Sequence, residues 1–206
     1  MVTLYALKPR FQALLRPFVA RLAVSGITAN QVTIAAACGS LAIGLLVAIA
    51  RGQPAVFLLL PFWLAIRMAL NAIDGMLARE FGQMSRLGAY LNELGDAVSD
   101  AALLFPFALV PPFGATATAI VVVLALLTEF AGVLGSAIGA SRRYDGPLGK
   151  SDRALLAGAL ACWIGAGGAL PAWLGLLMPL AALLLIVTVV NRVRAGLGEA
   201  TAQVAR

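Results

Sequence analysis

The chain has 206 residues, 62% of them hydrophobic and 12% charged, with a formal net charge of +6 and no histidine. Its mean hydropathy of +0.97, against the roughly 25% charged residues of an ordinary soluble domain, excludes a soluble protein and points to a multi-pass membrane protein. The absence of histidine excludes imidazole bases and most zinc sites, and the basic excess, without aromatic–basic interleaving, suits membrane loops rather than nucleic acid.

Residues 8–24 predict an interfacial helix. Phe11, Leu14, Leu15, Phe18 and Leu22 recur at helical spacing, with Arg10, Arg16 and Arg21 among the other positions, a pattern suited to the headgroup level beside anionic lipid. Ser25-Gly26 stops this helix. Thr28-Ala-Asn-Gln31 has the form of a capping box and opens the next one. Six apolar stretches follow, at about 31–50, 54–78, 88–110, 115–140, 152–169 and 172–193, each near the roughly 20 residues a bilayer requires. Arg51-Gly-Gln-Pro54, Pro111-Pro112-Phe-Gly114 and the run from Gly165 to Pro171 separate first from second, third from fourth and fifth from sixth. The expected fold is an all-α integral membrane protein, six transmembrane helices after an amphipathic interfacial helix, in one domain over 1–206. Cys38 and Cys162 lie in separate apolar segments without a CxxC motif and are expected as buried small residues.

The basic residues set an orientation. Lys8, Arg10, Arg16, Arg21, Arg79, Arg86, Arg142, Arg143, Lys150, Arg153, Arg192, Arg194 and Arg206 fall on one side of this topology, and Arg51 on the other. Both termini and the turn between Asp74 and Asn92 are therefore expected in the cytoplasm, with the chain in a bacterial plasma membrane.

One polar stretch interrupts the apolar chain. It runs from Asn71 through Asp74, Gly75 and Arg79 to Gly88, and then places Asn92, Asp96 and Asp100 four apart. Ionisable groups inside a membrane are costly and mark functional sites by default. On helices, Asn71 and Asp74 share one face, as do Asn92, Asp96 and Asp100. Two such faces bearing oxygen ligands form a plausible cage for a hard cation such as Mg²⁺, and Gly75 lets a ligand approach the backbone. Antiparallel pairing of the second and third spans puts Asp74 level with Asn92, Asn71 level with Asp96, and Arg67 level with Asp100. Arg67 and Asp100 read as a charge-neutralising pair, which Glu129 of the fourth span can join.

Asp74-Gly75-x-x-Ala78-Arg79, eight residues, Gly88, three residues, Asn92, three residues and Asp96 resembles the signature of the CDP-alcohol phosphotransferase family. Gly26-Ile-Thr28-Ala-Asn30-Gln-Val-Thr33 resembles the segment that opens that family's first span. Gly149-Lys150-Ser-Asp-Arg153 resembles its basic loop before the fifth span. The resemblance implies an enzyme of phospholipid biosynthesis that transfers a phosphatidyl or phosphoalcohol group from a CDP-alcohol, such as CDP-diacylglycerol, to an acceptor alcohol and releases CMP. It further implies a homodimer and a metal cofactor, Mg²⁺ or Mn²⁺, on Asn71, Asp74, Asn92 and Asp96. Asp96 is then also the general base. Gly75, Ala78 and Arg79 line the CDP site, Gly88 allows close approach, and Lys150 and Arg153 hold a phosphate of the acceptor or a lipid.

The chain departs from the family pattern where it has asparagine, at Asn71 and Asn92 in place of aspartate. An amide oxygen still ligates Mg²⁺ but brings no charge, so affinity for a pair of dications is expected to fall. Arg67, one turn from Asn71, is placed to take part of the second cation's role. The departure also keeps two other readings open: an altered or inactive family member that binds a nucleotide or lipid in an accessory role, and a small ion-coupled transporter. The transporter reading predicts inverted repeats, and none is found in the sequence.

Overall fold

The structure is a computed structural model that describes residues 4–204, and their side chains from Arg10 to Gln203. The Lys8 side chain and Arg206 lie outside the described residues. The regular structure of the described residues is all helical: α1 (Leu4–Val24), α2 (Ala29–Ile49), α3 (Leu59–Glu80), α4 (Arg86–Leu104), α5 (Ala115–Ala137), α6 (Lys150–Gly165) and α7 (Leu177–Val204). Short 3-10 turns at Pro54–Leu58, Phe105–Leu109 and Ala172–Leu176 adjoin α3, α4 and α7. Four segments are long and apolar enough to cross a bilayer: Ala29–Ile49, Pro54–Glu80, Ala115–Ala137 and Ala172–Gln203. Large apolar side chains such as Leu45, Phe62, Val123 and Leu183 are exposed along them. Only hydrocarbon accommodates that much exposed apolar surface on helices whose backbone groups are all paired. The protein is an all-α membrane protein.

All six expected apolar stretches are helical, but α4 and α6 are not among the four. α4 carries Arg86, Glu93, Asp96 and Asp100 within 19 residues, and α6 has 16 residues. The last helix runs to Val204, well past the expected end at 193. The glycines Gly196 and Gly198 do not stop it, because Glu199 is anchored: its carboxylate accepts from the Ser141 backbone N–H at 3.0 Å and the Ser141 hydroxyl at 2.8 Å. Cys38 and Cys162 are exposed rather than buried, since each falls on the outward side of its helix.

The chain resolves into two compact units with interleaved segments, residues 1–42 with 62–99 and residues 43–61 with 100–206. In the first, Val19, Ala29, Val32, Ile73, Met76 and Leu77 form a buried apolar cluster, joined by Leu15 and Leu22 of α1. The expected apolar face of α1 therefore divides. Leu15, Val19 and Leu22 dock on α2 and α3, while Leu14 and Phe18 point outward. α1 ends in a Schellman motif, with Ile27 N–H bonding Leu22 O at 3.0 Å and Gly26 N–H bonding Ala23 O at 3.1 Å. Gly26 supplies the positive φ of 79° that the motif requires. The capping box forms as expected. Thr28 N–H donates to Gln31 Oε1 at 2.9 Å, and Gln31 N–H donates to Thr28 Oγ1 at 3.2 Å. Gln83, in the loop after α3, accepts from Ala29 N–H at 2.7 Å and donates to Ile27 O at 3.4 Å. That clasp fixes the α3–α4 loop to the start of α2.

In the second unit α5 packs along α7, and α6 packs on the Pro54–Leu58 turn. Phe57, Phe107 and Phe113 form an aromatic cluster with ring centroids 6.0 and 5.9 Å apart, in the tilted and edge-on arrangements that aromatic quadrupoles favour.

Candidate functional site

The polar stretch lies in the first unit, on facing surfaces of α2, α3 and α4. α3 is apolar enough to hold its polar residues to one stripe, and Arg67, Asn71 and Asp74 follow at intervals of four and three. Arg67 is 4% and Asp74 6% exposed. A buried charge at either position needs a partner.

Asp74 finds one in Thr33 of α2, whose hydroxyl lies 2.7 Å from Asp74 Oδ2 and 3.0 Å from Ala29 O. A hydroxyl has one proton, and the shorter, charged acceptor takes it. Asp96 on α4 is tied to α3. Arg67 Nη2 donates to Asp96 Oδ1 at 3.1 Å and to the Asp96 backbone carbonyl at 3.2 Å, and Asn71 Nδ2 reaches the same Oδ1 at 3.5 Å. The level pairing of Asn71 with Asp96 is thus observed, and Arg67 extends one turn to meet the same carboxylate. Asn92 is half-buried one turn before Asp96 on α4.

The glycines make room for side chains. A Cβ on Gly75 would stand 2.6 Å from Arg79 Nη2, so the Arg79 guanidinium folds back over the bare backbone there, at the exposed end of α3. A Cβ on Gly88 would stand 2.8 Å from Asn30 Oδ1 and 3.0 Å from Ser85 Oγ. Ala78 packs against the apolar cluster. Sequence reasoning did not assign Thr33 and Asn30 to the site. The available signal was their spacing of three within the segment that the capping box sets as the start of α2.

Lys150 and Arg153 belong to the second unit. Lys150 opens α6, after a cap in which Gly149 N–H donates to Asp152 Oδ2 at 2.9 Å. Arg153 is 4% exposed, and its Nη2 donates to Asp100 Oδ2 and to Glu129 Oε1, both at 2.8 Å. Its Nη1 donates to Thr128 Oγ1 at 3.2 Å. Glu129 also accepts from Arg142 at 3.4 Å and stands 3.7 Å from Arg192. Asp100 and Glu129, which the sequence linked through Arg67, meet through Arg153.

The side chains expected from the sequence to hold a metal are Asp74 and Asp96 with the amides of Asn71 and Asn92. Among the described residues no three His, Cys, Asp or Glu side chains converge in a way that could hold an ion. Two carboxylates and two amide oxygens are chemically suited to a hard dication that shares its coordination with substrate oxygens.

Residues 26–191 match the model of the CDP-alcohol phosphatidyltransferase family. The chain belongs to this family. The family is one of CDP-alcohol phosphotransferases of phospholipid synthesis. The chain is 49% identical over 196 residues to the inner membrane protein YnbA of Escherichia coli (strain K12), covering 94% of this chain and 96% of that protein. It is 36% identical over 103 residues to a phosphatidylinositol phosphate synthase of Streptomyces avermitilis, covering 48% of this chain and 39% of that one. Its fold matches the phosphatidylinositol phosphate synthase of Mycobacterium tuberculosis with CDP-DAG bound, with a TM-score of 0.69 and 24% identity, covering 87% and 92% of the two chains. The same synthase was also solved with manganese and citrate, again at a TM-score of 0.69.

Proposed function

We propose that the chain is an active membrane phosphotransferase that moves a phosphatidyl group from CDP-diacylglycerol to an acceptor alcohol. The observation that supports this best is Asp96, a carboxylate oriented by Arg67 and Asn71 on the same side of the unit as Asp74. Asp96 takes the proton of the acceptor hydroxyl. The acceptor oxygen forms a bond to the phosphorus that bears the lipid, the bond from that phosphorus to the CMP oxygen breaks, and CMP leaves with its electron pair. Arg79 meets the diphosphate's negative charge from the end of α3, and Gly75 and Gly88 let the nucleotide approach backbone that a side chain would cover. A divalent cation on Asp74, Asn71 and Asn92 would neutralise charge developing on the leaving phosphate.

In this reading all six apolar helices span a bacterial inner membrane, α1 lies at the interface, and the termini and site face the cytoplasm, in keeping with the basic bias. Arg153 is already held by two carboxylates, which argues against its expected role as a phosphate ligand. The family resemblance adds a homodimer, which crosslinking in native membranes would test.

The two amides favour a second reading, in which the site binds a nucleotide or lipid without turnover. CMP release by purified protein in lipid separates the two, using CDP-diacylglycerol, a panel of acceptor alcohols, and titrated Mg²⁺ and Mn²⁺. Metal-dependent release with one acceptor establishes the transferase and names its substrate. Release only after Asn71→Asp with Asn92→Asp establishes the binding role.

A further inference from the structure

We infer that Glu129 is a built-in anion filling a seat of guanidinium groups that would otherwise take a phosphate, and that the acceptor is therefore an alcohol without a phosphate. The seat rests on geometry within the second unit. The choice of acceptor rests also on the transferase reading.

Three guanidinium groups from separate segments meet one carboxylate. Arg153 of α6 donates to Glu129 Oε1 at 2.8 Å, Arg192 of α7 stands 3.7 Å from the same oxygen, and Arg142 of the α5–α6 loop donates to Oε2 at 3.4 Å. Helix α5 leaves room for them. Gly132 follows Glu129 by one turn, and a Cβ there would stand 3.1 Å from Arg192 Nη1, so a larger residue would crowd the guanidinium. Guanidinium forks converging on one point are how proteins hold a phosphate. Here the chain supplies the anion itself. Glu129 is 9% exposed, and both of its oxygens are engaged. A phosphate entering beside it would set two anions against each other where screening is poor. The adjoining cavity, about 20 Å³ against Leu104, Phe107, Val121 and Arg153, has room for about one water and none for a phosphate.

Among the described residues the buried basic side chains are Arg67, Arg153 and Arg192. Arg67 bonds Asp96, and Arg153 bonds Asp100 and Glu129. Arg192 is held by the carbonyls of Thr128 and Asp145 as well as by Glu129. Each buried guanidinium thus faces a carboxylate of the chain before any ligand arrives. An acceptor bearing a phosphate would need such a pair broken, and breaking a buried pair is costly. An acceptor that offers hydroxyls alone needs none broken.

Inorganic phosphate is the probe for the seat. The purified chain in detergent is melted in rising phosphate and, for comparison, in sodium chloride of equal ionic strength. Glu129→Ala empties the seat and is expected to melt below the wild type in chloride. Phosphate at about ten times its dissociation constant is expected to raise that variant by about 3–5 °C more than it raises the wild type. Equal protection of the two proteins would overturn the seat. If Glu129→Ala does not fold, the neutral Glu129→Gln takes its place in the same comparison. The acceptor is read on the wild type from CMP release, with glycerol against glycerol phosphate and inositol against inositol phosphate, and with serine and choline, which carry no phosphate. Alcohols lacking phosphate are expected to be favoured about 100-fold or more in kcat/KM. Equal or faster turnover of a phosphorylated member would overturn the acceptor class. Silence with every acceptor would sink the transferase reading, and the melting curves would still decide the seat.

Discussion

The two units each enclose a cluster of charged side chains. In the first, Arg67 bonds Asp96 and Thr33 bonds Asp74. In the second, Arg142, Arg153 and Arg192 converge on Glu129, with Asp100 on Arg153. The neutral groups that meet these charges differ. Arg192 donates to the backbone carbonyls of Thr128 and Asp145, and the Thr128 carbonyl belongs to helix α5 and cannot move aside. Asp74 accepts from the Thr33 hydroxyl, and Asp96 accepts from the Asn71 amide beside the Arg67 guanidinium; the hydroxyl and the amide sit on half-buried side chains, which rotate. The basic cluster is thus closed by rigid dipoles and braces α5, α6 and α7. The acidic cluster includes exchangeable ones, as the proposed site for a cation and a substrate requires. A cluster suited to chemistry differs from one suited to structure in whether its neutral partners can leave.

The sharpest division between the clusters comes from changing one carboxylate in each to its amide. Asp96→Asn keeps an oxygen for Arg67, so the chain should still fold, while CMP release should fall by about 100- to 10,000-fold, the range for losing a general base. Unchanged turnover in the acceptor assay would remove Asp96 from the base role. Glu129→Gln should act on the fold instead. It leaves three guanidinium groups around a neutral side chain, and breaking a buried ion pair on one side costs about 3–5 kcal/mol. Thermal unfolding in detergent reads this directly. A variant as stable as the wild type would mean that the basic cluster does not brace the second unit.

Thr33→Val probes the exchangeable partner. It removes the hydroxyl that Asp74 receives at 2.7 Å, and a hydrogen bond to a charged group contributes about 1.5–3 kcal/mol. Thr33→Ser should restore most of that loss, because the proton donor returns and only a methyl is missing. If valine and serine behave alike, packing rather than the bond to Asp74 sets the role of Thr33.

Much of this was legible in the chain. The six apolar stretches, the capping box at Thr28 and Gln31, and the level of Asn71 with Asp96 follow from helical periodicity and antiparallel pairing, which are local rules. The partners of Arg67 and Arg153 were not legible. A guanidinium reaches a full turn along a neighbouring helix, so Arg67 meets Asp96 as well as facing its own level, and Arg153, read as a phosphate ligand, fills a buried gap between α4 and α5. The bond from Thr33 to Asp74 was not legible for a related reason. Its role depends on α2 meeting α3, a contact between residues 41 positions apart in sequence, and no spacing rule spans that distance. The C-terminal end of α7 shows the same limit from the other side. The helix runs past the expected end at 193 to Val204, and a long-range tie between Glu199 and Ser141 lies in that extension.

The smallest effect belongs to the loop between α5 and α6, where the basic cluster meets water. Arg143 donates to both oxygens of Asp145, at 2.9 and 3.1 Å, and this hydrogen bonding holds the Asp145 carboxyl below its ordinary value of 3.8. A carboxylate whose folded value is depressed stabilises the fold above its unfolded value, and that contribution disappears as pH falls through the folded one. The pair should therefore contribute fully at neutral pH and fade only below about pH 4. Asp145 is 38% exposed in its side chain, so water screens much of the attraction and the effect should be small. Melting curves of the wild type and Asp145→Asn should run nearly parallel near neutrality, with the wild type slightly higher, and converge as the acid limb is entered. If the gap instead widens on acidification, the pair with Arg143 is not its source, and the loop is held by the Arg192 contact to the Asp145 carbonyl, which no proton removes.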